Sequence, residues 1–262
     1  MAIEIKPYND DMTNAVIDFN KRLKKGGATF NFPESNIPEW LPKIENRKIY
    51  QEYFLAVEKE SVVRGGYILK HQDFSFKGDI LSIGIPQYPL SEGIIDKSYN
   101  IVVIQLLTDS LKRQPLLYGL GIGGYEYPIY KIHKALGWCS FTIPFYFKVN
   151  HPFKFLRKIV HLRKKKLYRL LLDLLAITGT GWLVIKSMQF LLMGKQPNEN
   201  SISIEIVENF SIWADELWEE CKSKFSMIAV RNSNILNILY PSDCDRFIRL
   251  KISLNDRVIG WV

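Results

Sequence analysis

A mixed α/β fold, α+β-like in the way its strands cluster, is what these 262 residues predict, and three observations carry the prediction. Short β-branched runs follow one another between residues 50 and 86, separated by polar turns. Apolar residues recur at helical spacing over 10–25 and again over 100–113. The order of these runs is strand, helix, three strands, helix, strand, helix and one or two strands, which fits neither an all-helical nor an all-β chain.

The elements follow from local chemistry. Residues 2–6 (AIEIK) alternate apolar and polar as a short strand does. In DDMTNAVIDFNKRLKK the residues Met12, Ala15, Val16, Phe19 and Leu23 share one helix face, with Asp10 or Asp11 as N-cap and Gly26-Gly27 as the stop. Residues 28–42 hold three prolines and three aromatics, a structured loop that either lines a pocket or packs on the core. YFLAVEKE and SVVRGGYILKH read as a hairpin, and GDILSIGIP as a third strand. QYPLSEGIIDKSY then leads into NIVVIQLLTDSLKR, where Val102, Val103, Leu106, Leu107 and Leu111 mark a helix. PLLYGLGIGG predicts another strand, YEYPIYKIHKAL a short helix, and CSFTIPFYFKV a closing β-rich segment.

Charge is informative by position. Between Lys154 and Arg169 stand eight basic residues and no acidic one, which equals the whole formal net charge of +8. The apolar stretch 170–193 follows directly, but its longest uncharged piece, Leu174 to Ile185, is 12 residues. A spanning helix needs roughly 20. The segment reads as a buried or interdomain helix pair broken at Gly179-Thr180-Gly181, or as peripheral membrane contact through residues 154–193, since a basic run beside an apolar helix suits an anionic bilayer. Nucleic acid is not expected, because the basic run borders an apolar helix instead of covering a folded face.

Cys139, Cys221 and Cys244 are odd in number and far apart, so neither a disulfide framework nor a zinc pattern is expected. His71, His133, His151 and His161 lack metal-ligand spacing, so no metal is expected. The opening MAIEIKPYNDDMTNAV has no basic and apolar leader, and a cytoplasmic location follows as the expectation, peripheral to the inner face of the membrane if 154–193 docks there.

The strand–loop–helix over 83–111 is where an anion is expected. A helix N-terminus aims free N–H groups at what precedes it, and a glycine such as Gly93 allows close approach. Many ordinary βα loops share that feature. The order of elements, the stretch Pro89-Leu90-Ser91-Glu92-Gly93-Ile94-Ile95 and the stretch His133-Lys134-Ala135-Leu136-Gly137-Trp138 together resemble the GNAT (Gcn5-related N-acetyltransferase) superfamily.

That resemblance implies a GNAT-type central mixed sheet flanked by helices, with acetyl-CoA as co-substrate. It implies that the backbone of Ser91, Glu92, Gly93, Ile94 and Ile95 holds the diphosphate. A fifth strand is expected to splay from the fourth to admit the thioester arm, while Gly137 ends the short helix and Trp138 enters the core. His133, or Tyr130 one turn earlier, is the implied acid for the leaving thiolate, though either also reads as a packing residue. Two departures stand out: this loop has one glycine, and it has Glu92. A carboxylate beside a diphosphate is repulsive, so Glu92 is expected to point away, or the loop to serve another purpose. Glu58 and Glu60 close a strand near the expected cleft, where solvated hairpin carboxylates are the plain reading.

The opening pattern recurs. Ile204-Glu205-Ile206 answers Ile3-Glu4-Ile5, each ahead of an amphipathic helix, and Val258-Ile259-Gly260-Trp261-Val262 answers Arg64-Gly65-Gly66-Tyr67-Ile68. The expected domains are therefore a GNAT-like domain over 1–150, a basic and apolar helical linker over 151–200, and a partial second GNAT-like domain over 201–262. A sheet cut inside its third strand leaves an open edge, so a piece of a longer tandem protein is expected. Tandem folds of this kind resemble Fem-type aminoacyl transferases and the acyltransferases found with polysaccharide synthesis. The function expected is an acyl-CoA-dependent N-acyltransferase that acts on a small amine-bearing acceptor from a sugar or cell-envelope precursor. The alternative is a non-catalytic GNAT-like interaction or membrane-docking module that has lost CoA binding.

Overall fold

The computed structural model describes residues 3–121, 125, 128–144, 147–160, 162–193 and 202–262. Strand β1 (Ile3–Pro7), helix α1 (Thr13–Lys25) and strands β2 (Tyr50–Glu58), β3 (Val62–Phe76) and β4 (Asp79–Ser91) arise where the periodicities predict them. Helix α2 (Asn100–Arg113) follows. The strands pair antiparallel in the order β1-β2-β3-β4. At the β3–β4 turn Lys77 and Gly78 both take positive φ, 51° and 97°, the pair that a tight two-residue hairpin requires.

Alternation along the strands sends their side chains to opposite faces. Leu55, Val57, Val63, Ile68 and Leu90 pack with Val16, Phe19 and Leu23 of α1. Phe54, Ala56, Tyr67 and Leu69 pack with Val102 and Leu106 of α2. The fold is thus mixed α/β, an antiparallel sheet with helices on its faces. One detail at α1 differs from expectation: Asp10 and Asp11 sit inside a preceding 3-10 turn, so Met12 takes the cap position, with no side-chain cap.

Past α2 the expected fifth strand shrinks to a single parallel bridge, Gly84 to Leu117. Gly84 donates to the Leu116 carbonyl at 2.8 Å and accepts from Tyr118 at 3.0 Å. The next position of β4 with the same outward orientation is Pro86. Proline has no N–H, so the ladder cannot continue. Gly84 also lets the two chains meet, since a Cβ there would lie 2.6 Å from a methyl of Leu117. Residues 122–124 of the expected strand lie outside the described residues. Helix α3 (Pro128–Ala135) is present, and Gly137 follows it at φ 79° as its left-handed terminator. Trp138 is half-buried, not a core residue, and the described residues of the expected closing segment, 139–144 and 147–149, form no strand.

The domain division also differs from expectation. The chain clusters into two compact units, Met1–Leu136 with Ser203–Val262, and Gly137–Ile202. Residues beyond 202 therefore belong with the first sheet. Strands β5 (Ile202–Ile206), β7 (Leu250–Leu254) and β8 (Arg257–Trp261) form a separate sheet in the order β5-β7-β8, and α7 (Ile212–Lys222) follows β5. Strand β6 (Met227–Ala229) instead joins the first sheet, pairing with Phe74–Phe76, the end of β3 that outruns β2. Helix α8 (Ser233–Leu239) comes next, and its Ile235 and Leu239 bury Leu41 and Ile49 together with Trp218 and Val230. Loop residue Trp40 is fastened to this cluster by its Nε1, which donates to the Leu239 carbonyl at 2.8 Å.

In the other unit, α4 (Pro152–Lys158), α5 (Lys166–Ile177) and α6 (Thr180–Met193) pack on one another. Gly179, at φ 74°, stands at the break between α5 and α6, which meet at 85°. Arg163 forks onto Asp173 at 2.8 and 2.9 Å. Among the described residues no single helix is long and apolar enough to cross a membrane, though α5 and α6 together reach that length and composition as a bent pair. Most of the apolar side chains of the pair, including Leu167, Leu170, Leu174, Ile177, Leu183 and Phe190, are exposed.

Candidate active site

The loop after β4 is two consecutive 3-10 turns, Glu92–Ile94 and Lys97–Tyr99, that lead into α2. Ser91 starts the first: its hydroxyl accepts from the Gly93 amide at 3.0 Å and donates to the Tyr99 carbonyl at 2.9 Å. The Glu92 carbonyl takes the amides of Ile95 and Asp96, both at 2.9 Å. Gly93 lies against the first residue of α2, where a Cβ would come within 2.9 Å of the Asn100 Cα. Of the five residues expected to hold a diphosphate, Ser91, Glu92, Gly93, Ile94 and Ile95, the amides of Gly93 and Ile95 are therefore already engaged inside the loop. Two of the five expected donors are thus committed within the loop.

Glu92 explains why the loop closes. Its carboxylate is 4% exposed and accepts from Arg22 Nε and Arg64 Nη1, each at 2.7 Å. Arg64 also donates to Glu58 at 2.8 Å, and its guanidinium lies 4.4 Å from the Tyr99 ring centroid. Burial opposes the Arg64 charge, and its hydrogen bonds to the two carboxylates outweigh that and raise its pKa. Two arginines balance two glutamates, so the carboxylate faces neither solvent nor ligand but is neutralised from α1 and β3. Glu58 is accordingly no solvated hairpin residue; at 5% exposure it is part of this network. Glu60 is exposed, and only its backbone carbonyl is used, by Lys6 at 3.4 Å.

The two acid candidates stand on α3, which contributes no buried residue. The turn at Glu92–Ile94 packs on α1, α2 and the following 3-10 turn. Tyr130 meets Tyr125 edge-on at 4.6 Å. His133 is half-buried, and burial lowers its pKa, which favours the neutral imidazole over the protonated form a general acid needs.

Sequence reasoning missed the polar side chains at the middle of the sheet. Tyr50 stacks on His71 at 4.5 Å across β2 and β3, and His71 Nε2 meets Glu52 at 3.0 Å, with Lys43 on the other Glu52 oxygen at 2.8 Å. On the opposite face Gln51 pairs with Lys70. The signal was there in the strand YILKHQDF, whose consecutive polar residues send some of them inward whatever the register.

The hydrogen bond from His71, and then Lys43, hold the Glu52 carboxyl at about 2, well below its ordinary 4.5. A depressed carboxyl stabilises the fold above its unfolded value, and that contribution disappears as pH falls. The urea midpoint is therefore expected to drop between pH 4.5 and about 2, less steeply in His71→Phe than in the native chain. Equal slopes would show that the pair does nothing for stability.

Two cavities lie among the described residues of this unit. One, of about 450 Å³, is walled by Phe210, Tyr240, Phe247 and Trp261 with Arg246 and Arg249. The other, of about 300 Å³, lies between the 33–40 loop, Gln51, Tyr53 and Arg246. Among the described residues no group of three histidine, cysteine or carboxylate side chains could hold a metal ion.

The arrangement is that of a mixed α/β protein with an antiparallel sheet flanked by helices, the fold class of the GNAT resemblance. No family profile matches the sequence, and no curated protein matches it. Among solved structures the chain is similar to an acetyltransferase of the GNAT family from Staphylococcus aureus Mu50, at 15% identity and a TM-score of 0.29, over 46% of this chain and 74% of that one.

Proposed function

We propose that the unit built on β1–β4 is an N-acyltransferase of GNAT type, with an acyl-CoA as donor and a primary amine of a sugar or cell-envelope precursor as acceptor. The observation that carries the reading is the parting of β4 from the chain after α2. Among the described residues the two meet only at Gly84 and Leu117, while β4 itself bulges opposite Tyr67, with Tyr88 at φ 48°. An open strand edge beside a helix N-terminus is where an extended acyl arm can lie. The amine acceptor rests on the recurrence of β1-α1-β2-β3 order in β5-α7-β7-β8, the tandem pattern of cell-envelope acyltransferases.

A second reading is favoured by the closed loop: a non-catalytic module of the same fold, docked to the cytoplasmic face of a membrane through 154–193. Calorimetry with acetyl-CoA separates the two. Saturable heat at micromolar to millimolar ligand supports the transferase, and its loss in a Gly84→Val chain whose circular dichroism and Tm match the native chain would point to the donor lying along β4. No heat at millimolar acetyl-CoA leaves the docking module standing.

A further inference from the structure

We propose that Lys70 and Arg231 together form a binding site for the anionic group, carboxylate or phosphate, of a small molecule that enters past Trp40 and Gln51. Lys70 sits at the centre of the first sheet, opposite Gln51 on β2 and Ile85 on β4. It is 7% exposed. Among the described residues its ammonium has no hydrogen bond and no ion pair; what meets it is the face of the Trp40 indole, 4.8 Å away. Gln72 is the next residue of β3 on the same face, 2% exposed, and with its amide turned so that the oxygen faces Arg231 it accepts from that guanidinium. Arg231 otherwise donates to its neighbouring Val230 carbonyl at 2.8 Å, and among the described residues no carboxylate meets it.

A buried ammonium and a part-buried guanidinium thus meet at one face of the sheet, with no carboxylate beside either among the described residues. A charge taken out of water is strongly unfavourable unless it is paired, and a ring face offsets only part of that. Burial first, and the Arg231 charge second, push the Lys70 ammonium down to about 8, so at neutral pH it is still largely charged. An oxyanion between them would satisfy the three lysine donors and the free arginine donors at once. The cavity of about 300 Å³ supplies an approach as far as Trp40 and Gln51, two of its walls, which flank Lys70; Lys70 and Arg231 do not themselves line it. Glu34, Glu39 and Arg246 also line it, with Arg246 4.0 Å from Glu39, so the approach carries both signs and the remainder of the ligand is not fixed by charge. The site is argued without the acyl-transfer reading, and its test uses no acyl-CoA.

Thermal unfolding of the full chain at pH 7 and constant ionic strength, in chloride, inorganic phosphate or citrate, tests it. The expected result is a saturable rise in Tm with at least one of the two oxyanions; phosphate alone, citrate alone or both then name the group. Lys70→Met is expected to melt higher than the native chain in chloride, because a buried unpaired charge is gone, and to lose the oxyanion-dependent rise. No rise with either anion, or an equal rise in Lys70→Met, overturns the proposal. Should that variant fail to fold, quenching of tryptophan emission by the same anions decides: the quench is expected in the native chain and lost in Trp40→Phe, and a quench unchanged in Trp40→Phe overturns it.

Discussion

Glu92→Ala is expected to lower the unfolding free energy by about 3–5 kcal/mol, the range for removing one partner of a buried ion pair. The carboxylate is almost fully enclosed, and two guanidinium groups lean on it from α1 and β3. Without it Arg64 keeps Glu58, but Arg22 keeps only the Val63 carbonyl. Arg22 is about one third exposed, with a side-chain value of 34%, so water screens part of its loss, and Arg64 keeps one carboxylate; the effect is expected at the lower end of that range. Urea unfolding with an unchanged slope measures the effect. A loss below about 1 kcal/mol, the ordinary worth of an exposed pair, would mean that the network is solvated and the loop not held by it. The same variant frees the loop to rearrange, so its acetyl-CoA calorimetry reads whether the closed turn is what limits the donor.

The second large effect is on membrane binding. Lys164, Lys165 and Lys166 are exposed in the run that precedes the apolar α5–α6 pair. Near an anionic bilayer each is worth about 1 kcal/mol, so exchange of all three for glutamine is expected to weaken binding to phosphatidylserine vesicles roughly 100-fold. Binding should also fall with added salt as surface charge is screened. Vesicle sedimentation with phosphatidylcholine as control measures both. A native chain that stays in the supernatant with anionic vesicles, or a triple variant that sediments equally, removes the docking surface. Circular dichroism guards against a helical unit that has simply melted.

What was legible in the sequence was local. Alternation in YFLAV and VVRGGYIL, helical spacing in α1 and α2, and Gly137 after the short helix all describe how a few neighbouring residues meet a surface. Those elements are where they were expected. The run PLLYGLGIGG carries equal β character, yet a strand exists only if a partner supplies hydrogen bonds, and Pro86 withholds the one needed. Lys70 and His71 look alike in a list of residues; their opposite surroundings follow from which face of β3 each occupies.

By itself, then, the chain's order of residues determined the fold class, the two helices that sandwich the first sheet and the break at Gly179. Tertiary structure alone decided that Glu92 would be gripped by an arginine 70 residues away, and that residues beyond 202 would return to complete the edge of β3 and the pocket of Trp40. The reason is physical: periodicity reports how one segment meets an interface, whereas charge pairing, strand closure and burial of a lone lysine depend on which distant segments arrive there.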